Sequence, residues 1–250
     1  MESYIILLDN VTTTYEGAAH PVIQNINLAV GRGEFVIVGG PNGAGKTTLL
    51  ETIAGLLPVV SGTVSVCGFD AVRQGPQMRK KLGYVIQNFD FDPYTPFTVD
   101  EVLLMGRYGM LGFCKKPGDE DFAAVDRSLE RMGITDLRKS HIGKLSGGQQ
   151  QKVLIAHNLV KNPDVLLLDE PFSNLDLATR EQVCDVLCGI ADSGVTIMIV
   201  SHAFDALPSR CDVRVVVMKD GGIVLNTVIP PDQVQDTVRR TSENTGCLSS

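Results

Sequence analysis

The sequence predicts an α/β fold built on a largely parallel sheet, with a helical segment inserted into it. Three observations carry this. Short apolar runs at 165–168 and, with one threonine, at 195–200 alternate with stretches of helical periodicity, the pattern of strands covered on both faces by crossover helices. The apolar run at 35–38 enters a glycine-rich loop that leads directly into a helix-forming stretch. From 98 to about 159 the pattern is helical throughout, and the strands resume only beyond it.

The elements follow in order. Residues 4–38 alternate apolar and polar side chains and are broken by Gly17, Pro21 and Gly31-Arg32-Gly33, which reads as several strands joined by turns. Residues 46–57 read as a helix stopped near Pro58, and 63–66 and 81–85 as short strands. After Gln87 the composition changes, and the aromatic, acidic, proline-broken stretch 89–96 reads as a loop. Val99, Val102, Leu103 and Met105 share one helix face, and Phe122, Val125, Leu129 and Met132 recur at helical spacing. A strand at 165–168, a helix at 180–190 and strands at 195–200 and 213–218 complete the core. A further helix is expected around 231–240, and the polar tail from Thr237 is expected to fray.

Composition narrows the function. The 250 residues are enough for a full hydrophobic core, and 44% apolar with 20% charged residues excludes collagen, coiled coil and wholesale disorder. A net charge of −7 argues against coating nucleic acid, which needs a basic footprint, and leaves a local nucleotide site open. The opening Met1-Glu2-Ser3 has no basic segment ahead of an apolar one, so no secretory leader is expected, and no apolar run approaches a membrane span. The scattered cysteines fit a reducing compartment. Cys184 and Cys188 lack further ligands at metal spacing and read as structural thiols.

The chemistry is concentrated in short motifs. Gly40-Pro41-Asn42-Gly43-Ala44-Gly45-Lys46-Thr47 fits G-x-x-x-x-G-K-[ST], with a strand before it and a helix after it. The glycines let successive backbone N–H groups face phosphate oxygens at a helix N-terminus. Lys46 reaches the β- and γ-phosphates, and Thr47 can hold Mg²⁺. Asp169 and Glu170 end the apolar strand at 165–168. There Asp169 can hold a Mg²⁺-bound water, and Glu170 can orient or deprotonate an attacking water. Leu145-Ser146-Gly147-Gly148-Gln149 precedes a helix starting near Gln150, with Ser146 a good N-cap and the glycines leaving amides bare for an oxyanion.

With that last motif the sequence strongly resembles the ATP-binding cassette (ABC) ATPases, whose signature is LSGGQ; the resemblance covers about residues 4–228. It implies a P-loop NTPase (RecA-like) core with an N-terminal antiparallel β-subdomain, about 1–87 and 161–228, and a helical subdomain at about 88–160. Residues 1–236 would then form a single domain and 237–250 a flexible tail. It places Tyr15 where the family stacks an aromatic on adenine, and extends the nucleotide contacts to Thr48. It makes Gln87 the Q-loop glutamine, a further Mg²⁺ ligand beside Thr47 and Asp169. Asn174, Leu175 and Asp176 match the D-loop, with Asn174 where alanine is commoner. His202 matches the switch histidine, which with Lys46 and Glu170 makes up the catalytic set.

The resemblance further implies ATP and Mg²⁺ as ligands and a head-to-tail homodimer of cassettes when ATP is bound. In that dimer the signature loop of one chain caps the ATP of the other. Its other expected partners are integral membrane permease subunits and an extracytoplasmic solute-binding protein, with the cassette peripheral on the cytoplasmic side of the inner (plasma) membrane. The stretch from Pro96 to Gly112, with Thr98-Val99 and Gly106-Arg107-Tyr108-Gly109, is similar to cassettes of zinc, manganese and iron importers, and more distantly to those for siderophore, haem and cobalamin uptake. A soluble ABC ATPase outside transport would share every nucleotide motif. Phe89, Phe91, Tyr94 and Phe97 suit docking of a short helix from the permease. The chain departs from the usual family pattern at Lys152, at His157-Asn158 and at Ala203.

Overall fold

A computed structural model describes residues 4–18, 20–87, 91–111, 115–173, 175–201 and 213–244, with side chains as far as 241. The chain begins with strands β1 (Ile6–Thr13), β2 (Ile23–Val30) and β3 (Phe35–Gly39), then helix α1 (Lys46–Ile53). Strands β4 (Val59–Val66) and β5 (Phe69–Asp70), helix α2 (Gly75–Arg79) and strand β6 (Leu82–Val85) follow. Next come α3 (Val99–Tyr108), α4 (Asp119–Met132), α5 (Gly147–Leu159), β7 (Val165–Asp169), α6 (Leu177–Asp192) and β8 (Thr196–Val200). The chain closes with β9 (Val213–Lys219), β10 (Gly222–Ile229) and α7 (Val234–Asn244).

The strands form two sheets. An antiparallel sheet runs β2-β1-β4-β5, and a larger one runs β10-β9-β3-β8-β7-β6. In the larger sheet β9, β3, β8, β7 and β6 are parallel and β10 pairs antiparallel with β9. The inner strands are buried along their whole length, because alternate side chains enter different cores. Val36, Val38, Leu167, Met198 and Val200 pack under the antiparallel sheet and α1. Phe35, Ile37, Leu166, Leu168 and Ile199 pack under the helices on the other face.

Several boundaries depart from the sequence expectation, each for a local reason. The first helix ends at Ile53 and not at residue 57, because Gly55 takes φ +65° and turns the chain out of the helix. Helix α5 starts at Gly147, three residues early, and α6 at Leu177, because Ser146 and Asp176 cap them. Strand β4 begins at Val59, since it pairs with β1 as far as Thr13. Met105 and Phe122, expected on buried faces, are exposed, while their partners in each pattern are buried. The tail does not fray at Thr237. Helix α7 continues to Asn244, with Val234 and Val238 buried in the core beneath it. Cys184 and Cys188 are buried and belong to no disulfide, and no metal-binding group of side chains occurs among the described residues. Among these residues no helix is long and apolar enough to cross a membrane.

Candidate active site

The predicted phosphate loop lies at the carboxyl end of β3, which sits between β9 and β8 near the middle of the parallel strands. Ligands of open parallel sheets bind outside such strand ends. Two glycines are required by space as well as by backbone. Gly40 has φ +134°, and a Cβ there would lie 2.1 Å from the Met218 carbonyl oxygen. Gly45, with φ +94°, is the N-cap of α1 and would place a Cβ 2.6 Å from Ile23 Cγ2. No side chain caps the helix, so its first amides stay available for an anion.

Lys46 is 6% exposed, and its Nζ donates to the carbonyls of Gly40 at 2.9 Å and Pro41 at 2.8 Å. Burial pulls its pKa down, while Glu170 and Asp169 pull it back up. The ammonium is thus held inside the loop by neutral carbonyls, a set that phosphate oxygens can replace.

Across a cleft of about 490 Å³ stand Lys46, Thr47, Thr48, Gln87 and Glu170. Asp169 closes β7 and is 2% exposed. Burial raises its carboxyl pKa, and a hydrogen bond from Thr47 opposes the rise. Its Oδ1 is buried with no hydrogen-bond partner. A buried, orphaned carboxylate oxygen beside a hydroxyl fits a hard, oxygen-seeking cation, so the donor set suits Mg²⁺. Glu170, one residue on, has φ +46°, a conformation uncommon for a side-chain-bearing residue. Its backbone N–H donates to the Val200 carbonyl at 2.9 Å, and its Oε2 accepts from Gln87 Nε2 at 2.9 Å. The three motifs after β3, β6 and β7 therefore meet in one place.

Tyr15 stands beside this cleft on the loop after β1. Its hydroxyl donates to Glu51 Oε2 at 2.6 Å and lies 3.2 Å from Thr48 Oγ1. Burial and then the Glu51 carboxylate raise the phenol's pKa. The Glu51 contact was not foreseen from sequence. The partners are 36 residues apart, and no spacing rule joins a strand-end loop to a helix.

The predicted signature loop is elsewhere. Ser146 Oγ accepts from Gln149 N at 3.4 Å while Gln149 Oε1 accepts from Ser146 N at 3.0 Å, a reciprocal cap on α5. With Gly147, Gly148, Leu175 and Asp176 these residues border a second, polar cleft of about 350 Å³. Asp176 caps α6, accepting from Thr179 N at 2.9 Å, and these contacts hold its carboxyl below the usual range. Leu145 packs against the core. The two clefts share no lining residue. Asn174 and His202 lie outside the described residues, as do Phe89 and Ala203.

A third concavity, about 430 Å³ and mostly apolar, lies between β6 and helices α3 and α5, with Phe91, Phe97, Met105, Leu154 and His157 among its walls. Phe91 packs against the core and Phe97 is exposed, so the aromatic cluster serves both packing and surface. Two residues of the Gly106-Arg107 stretch face inward and not toward a partner. A Cβ on Gly106 would lie 2.4 Å from the His157 carbonyl oxygen. Arg107 is buried, with Nε donating to Asp121 Oδ1 at 2.7 Å and Nη1 to the Val160 carbonyl at 2.9 Å. These residues shape the groove by locking α3 to α4 and α5.

Comparison with known proteins agrees with this geometry. Residues 23–173 match the sequence model of the family described as ABC transporter. The manganese transport system ATP-binding protein MntB of Bacillus subtilis (strain 168) is 41% identical over 195 residues, covering 78% of this chain and 76% of that protein. The zinc transport system ATP-binding protein TroB of Treponema pallidum (strain Nichols) is 35% identical over 226 residues, covering 89% and 83%. A dimeric bacterial ABC transporter cassette of known structure superposes with TM-score 0.75 at 29% identity, covering 89% of this chain and 98% of that one.

Proposed function

We propose, from the premise that this chain belongs to the ABC transporter family of ATP-binding subunits, that it hydrolyses ATP to power import of a metal ion, manganese, zinc or iron, through separate membrane subunits. One observation carries the catalytic reading: Lys46, Thr47, Gln87 and Glu170 converge on a single cleft at the carboxyl ends of parallel strands. The cargo is drawn from the manganese and zinc transport relatives, because cassette residues meet the permease and never the cargo.

In this reading the phosphates take over the Lys46 ammonium from the Gly40 and Pro41 carbonyls, and the loop amides from Gly43 to Thr48 cradle them. Thr47, Asp169 and Gln87 would hold Mg²⁺, which when bound neutralises charge on the β- and γ-phosphate oxygens. Glu170 exchanges the Gln87 amide for the attacking water and takes its proton as the water's oxygen bonds to the γ-phosphorus, while the bond from that phosphorus to the β–γ bridging oxygen breaks and the oxygen leaves with ADP. His202, two residues past the end of β8 in sequence, is assigned the switch-histidine role of the same set by its match to the family motif. Tyr15 provides the face on which adenine stacks.

The signature cleft serves a second copy. Ser146, Gly148 and Gln149 border a cleft separate from that of Lys46, which supports the arrangement implied by the family, in which they cap the γ-phosphate bound by a head-to-tail partner with Leu175 and Asp176 beside the junction. ATP joins the pair and hydrolysis releases it, a two-state switch set by ligand. The apolar groove beside Gln87 receives a short helix of the permease on the cytoplasmic side of the membrane, and an extracytoplasmic binding protein delivers the metal.

The test compares a strain lacking the chain with strains rescued by the wild type or by Glu170→Gln. Elemental analysis should show loss of one metal, restored by the wild type alone. Purified Glu170→Gln should run as a dimer in ATP and Mg²⁺. A cell content unchanged for all three metals under limitation, with backup uptake removed, refutes the cargo assignment. A variant that stays monomeric at saturating ATP refutes the clamp.

A further inference from the structure

We infer that Glu51 is a positioning residue for the base end of the nucleotide: its carboxylate holds the Tyr15 phenol, and with it the direction of the ring's long axis, against the helix that binds phosphate. The inference rests on the reading of Tyr15 as the adenine platform.

The geometry is specific. The phenol donates to Glu51 Oε2 at 2.6 Å, in the range of short, charge-assisted O–H···O⁻ bonds. Tyr15 is 39% exposed and sits on a loop between β1 and β2, so packing alone does not fix its ring. A tyrosine ring anchored at its backbone and at its hydroxyl has little freedom left, whereas one anchored only at the backbone swings about χ1. The hydroxyl's other neighbour, Thr48 Oγ1 at 3.2 Å, belongs to the phosphate-binding set. Once a phosphate takes that hydroxyl, Glu51 is the partner that remains to the phenol.

The position of Glu51 in the fold gives the contact its use. It lies on α1, the helix that opens with Lys46, Thr47 and Thr48. One rigid element therefore carries the phosphate ligands at its start and the tether for the base platform about 7 Å further along its axis, at about 1.5 Å per residue. The spacing between the two ends of the nucleotide is then tied to a single helix and not to the β1–β2 loop alone. A further carboxylate is an odd side chain to stand near enough to Asp169 to raise its pKa. Its engagement by the phenol explains why it is there.

The experiment measures steady-state ATPase of the purified full chain, with inhibition by inorganic tripolyphosphate as a probe that has phosphates and no base. Glu51→Ala should raise KM for ATP roughly three- to tenfold, the worth of one net hydrogen bond, with kcat within about twofold of wild type. Its inhibition by tripolyphosphate should not change. Tyr15→Phe, which keeps a stacking ring and loses the donor, should reproduce the KM shift, and the double variant should be no worse than either single one. Glu51→Gln, still able to accept from the phenol, should recover most of the wild-type KM. If Glu51→Ala weakens tripolyphosphate as much as ATP, Glu51 supports the phosphate loop and the inference is wrong. If Tyr15→Phe leaves KM at the wild-type value while Glu51→Ala raises it, the tether is wrong although the platform stands. If Tyr15→Ala leaves KM unchanged, the platform reading itself has failed.

Discussion

Replacing His157 should change how the fold responds to acid. The residue sits in the last turn of α5, and both of its ring nitrogens are buried without a hydrogen-bond partner. Burial, helped by the charge of Lys161, brings its pKa from 6.5 down to about 4. Below pH 6.5 the unfolded chain therefore takes a proton that the folded chain refuses. The stability tied to the neutral ring is fully present above that pH and is lost as pH falls toward about 4. The gap between the two pKa values is worth about 3 kcal/mol in full and about 2 kcal/mol at pH 5, at about 1.4 kcal/mol per tenfold.

His157→Leu removes the titration, and it also removes two unsatisfied polar atoms from a mostly apolar wall. Urea unfolding of both proteins from pH 8 to 4.5 isolates the effect, since carboxylates and the other histidines are common to the pair. The variant should match or exceed wild-type stability at pH 8, and its advantage should grow by about 2 kcal/mol by pH 5. Parallel stability curves would show that His157 protonates in the folded state, and would refute the reasoning.

Two more perturbations probe the same subdomain. Gly106→Ala drives a Cβ to 2.4 Å from the His157 carbonyl and 2.6 Å from Val160 Cγ2. It should cost about 1–3 kcal/mol in denaturant unfolding and weaken co-purification with membrane subunits while the purified chain still binds ATP. Arg107→Met strands Asp121 and the Val160 carbonyl and should lower Tm by several degrees. Asp121→Asn, whose single amide oxygen keeps one of the two contacts, with Arg107 or with the Gly118 N–H, should lower it less.

The sequence was most informative where one rule governs several neighbouring residues. The doubly buried strands are legible because each inner strand contributes side chains to both cores, leaving no polar face. The phosphate loop is legible because its glycines answer to backbone geometry that few sequences satisfy. Strand β10 was passed over although its signal was present. Asp220-Gly221 is a two-residue turn with both residues at positive φ, the favoured hairpin connection, and it joins β9 to β10. Helix α7 was placed correctly and ended too early, because one buried valine, Val238, outweighs a polar composition once a sheet lies beneath it. The inward turn of Gly106 and Arg107 was invisible, since a Gly-Arg pair reads as surface until α5 is seen against it. Tyr15 and Glu51 meet only through tertiary folding.

Helix α5 runs 13 residues, about 20 Å. Its first turn is the signature loop, and its last turn gives His157 and Asn158 to the apolar groove. Asn158 Oδ1 accepts from the backbone N–H of Tyr84 at 3.0 Å, which pins that end to the edge of the parallel sheet. One rigid element thus joins the signature loop at its start to the apolar groove at its end. Under the proposed function, any shift of Ser146 on ATP-driven pairing would be carried along this one element to the groove proposed for the membrane subunit.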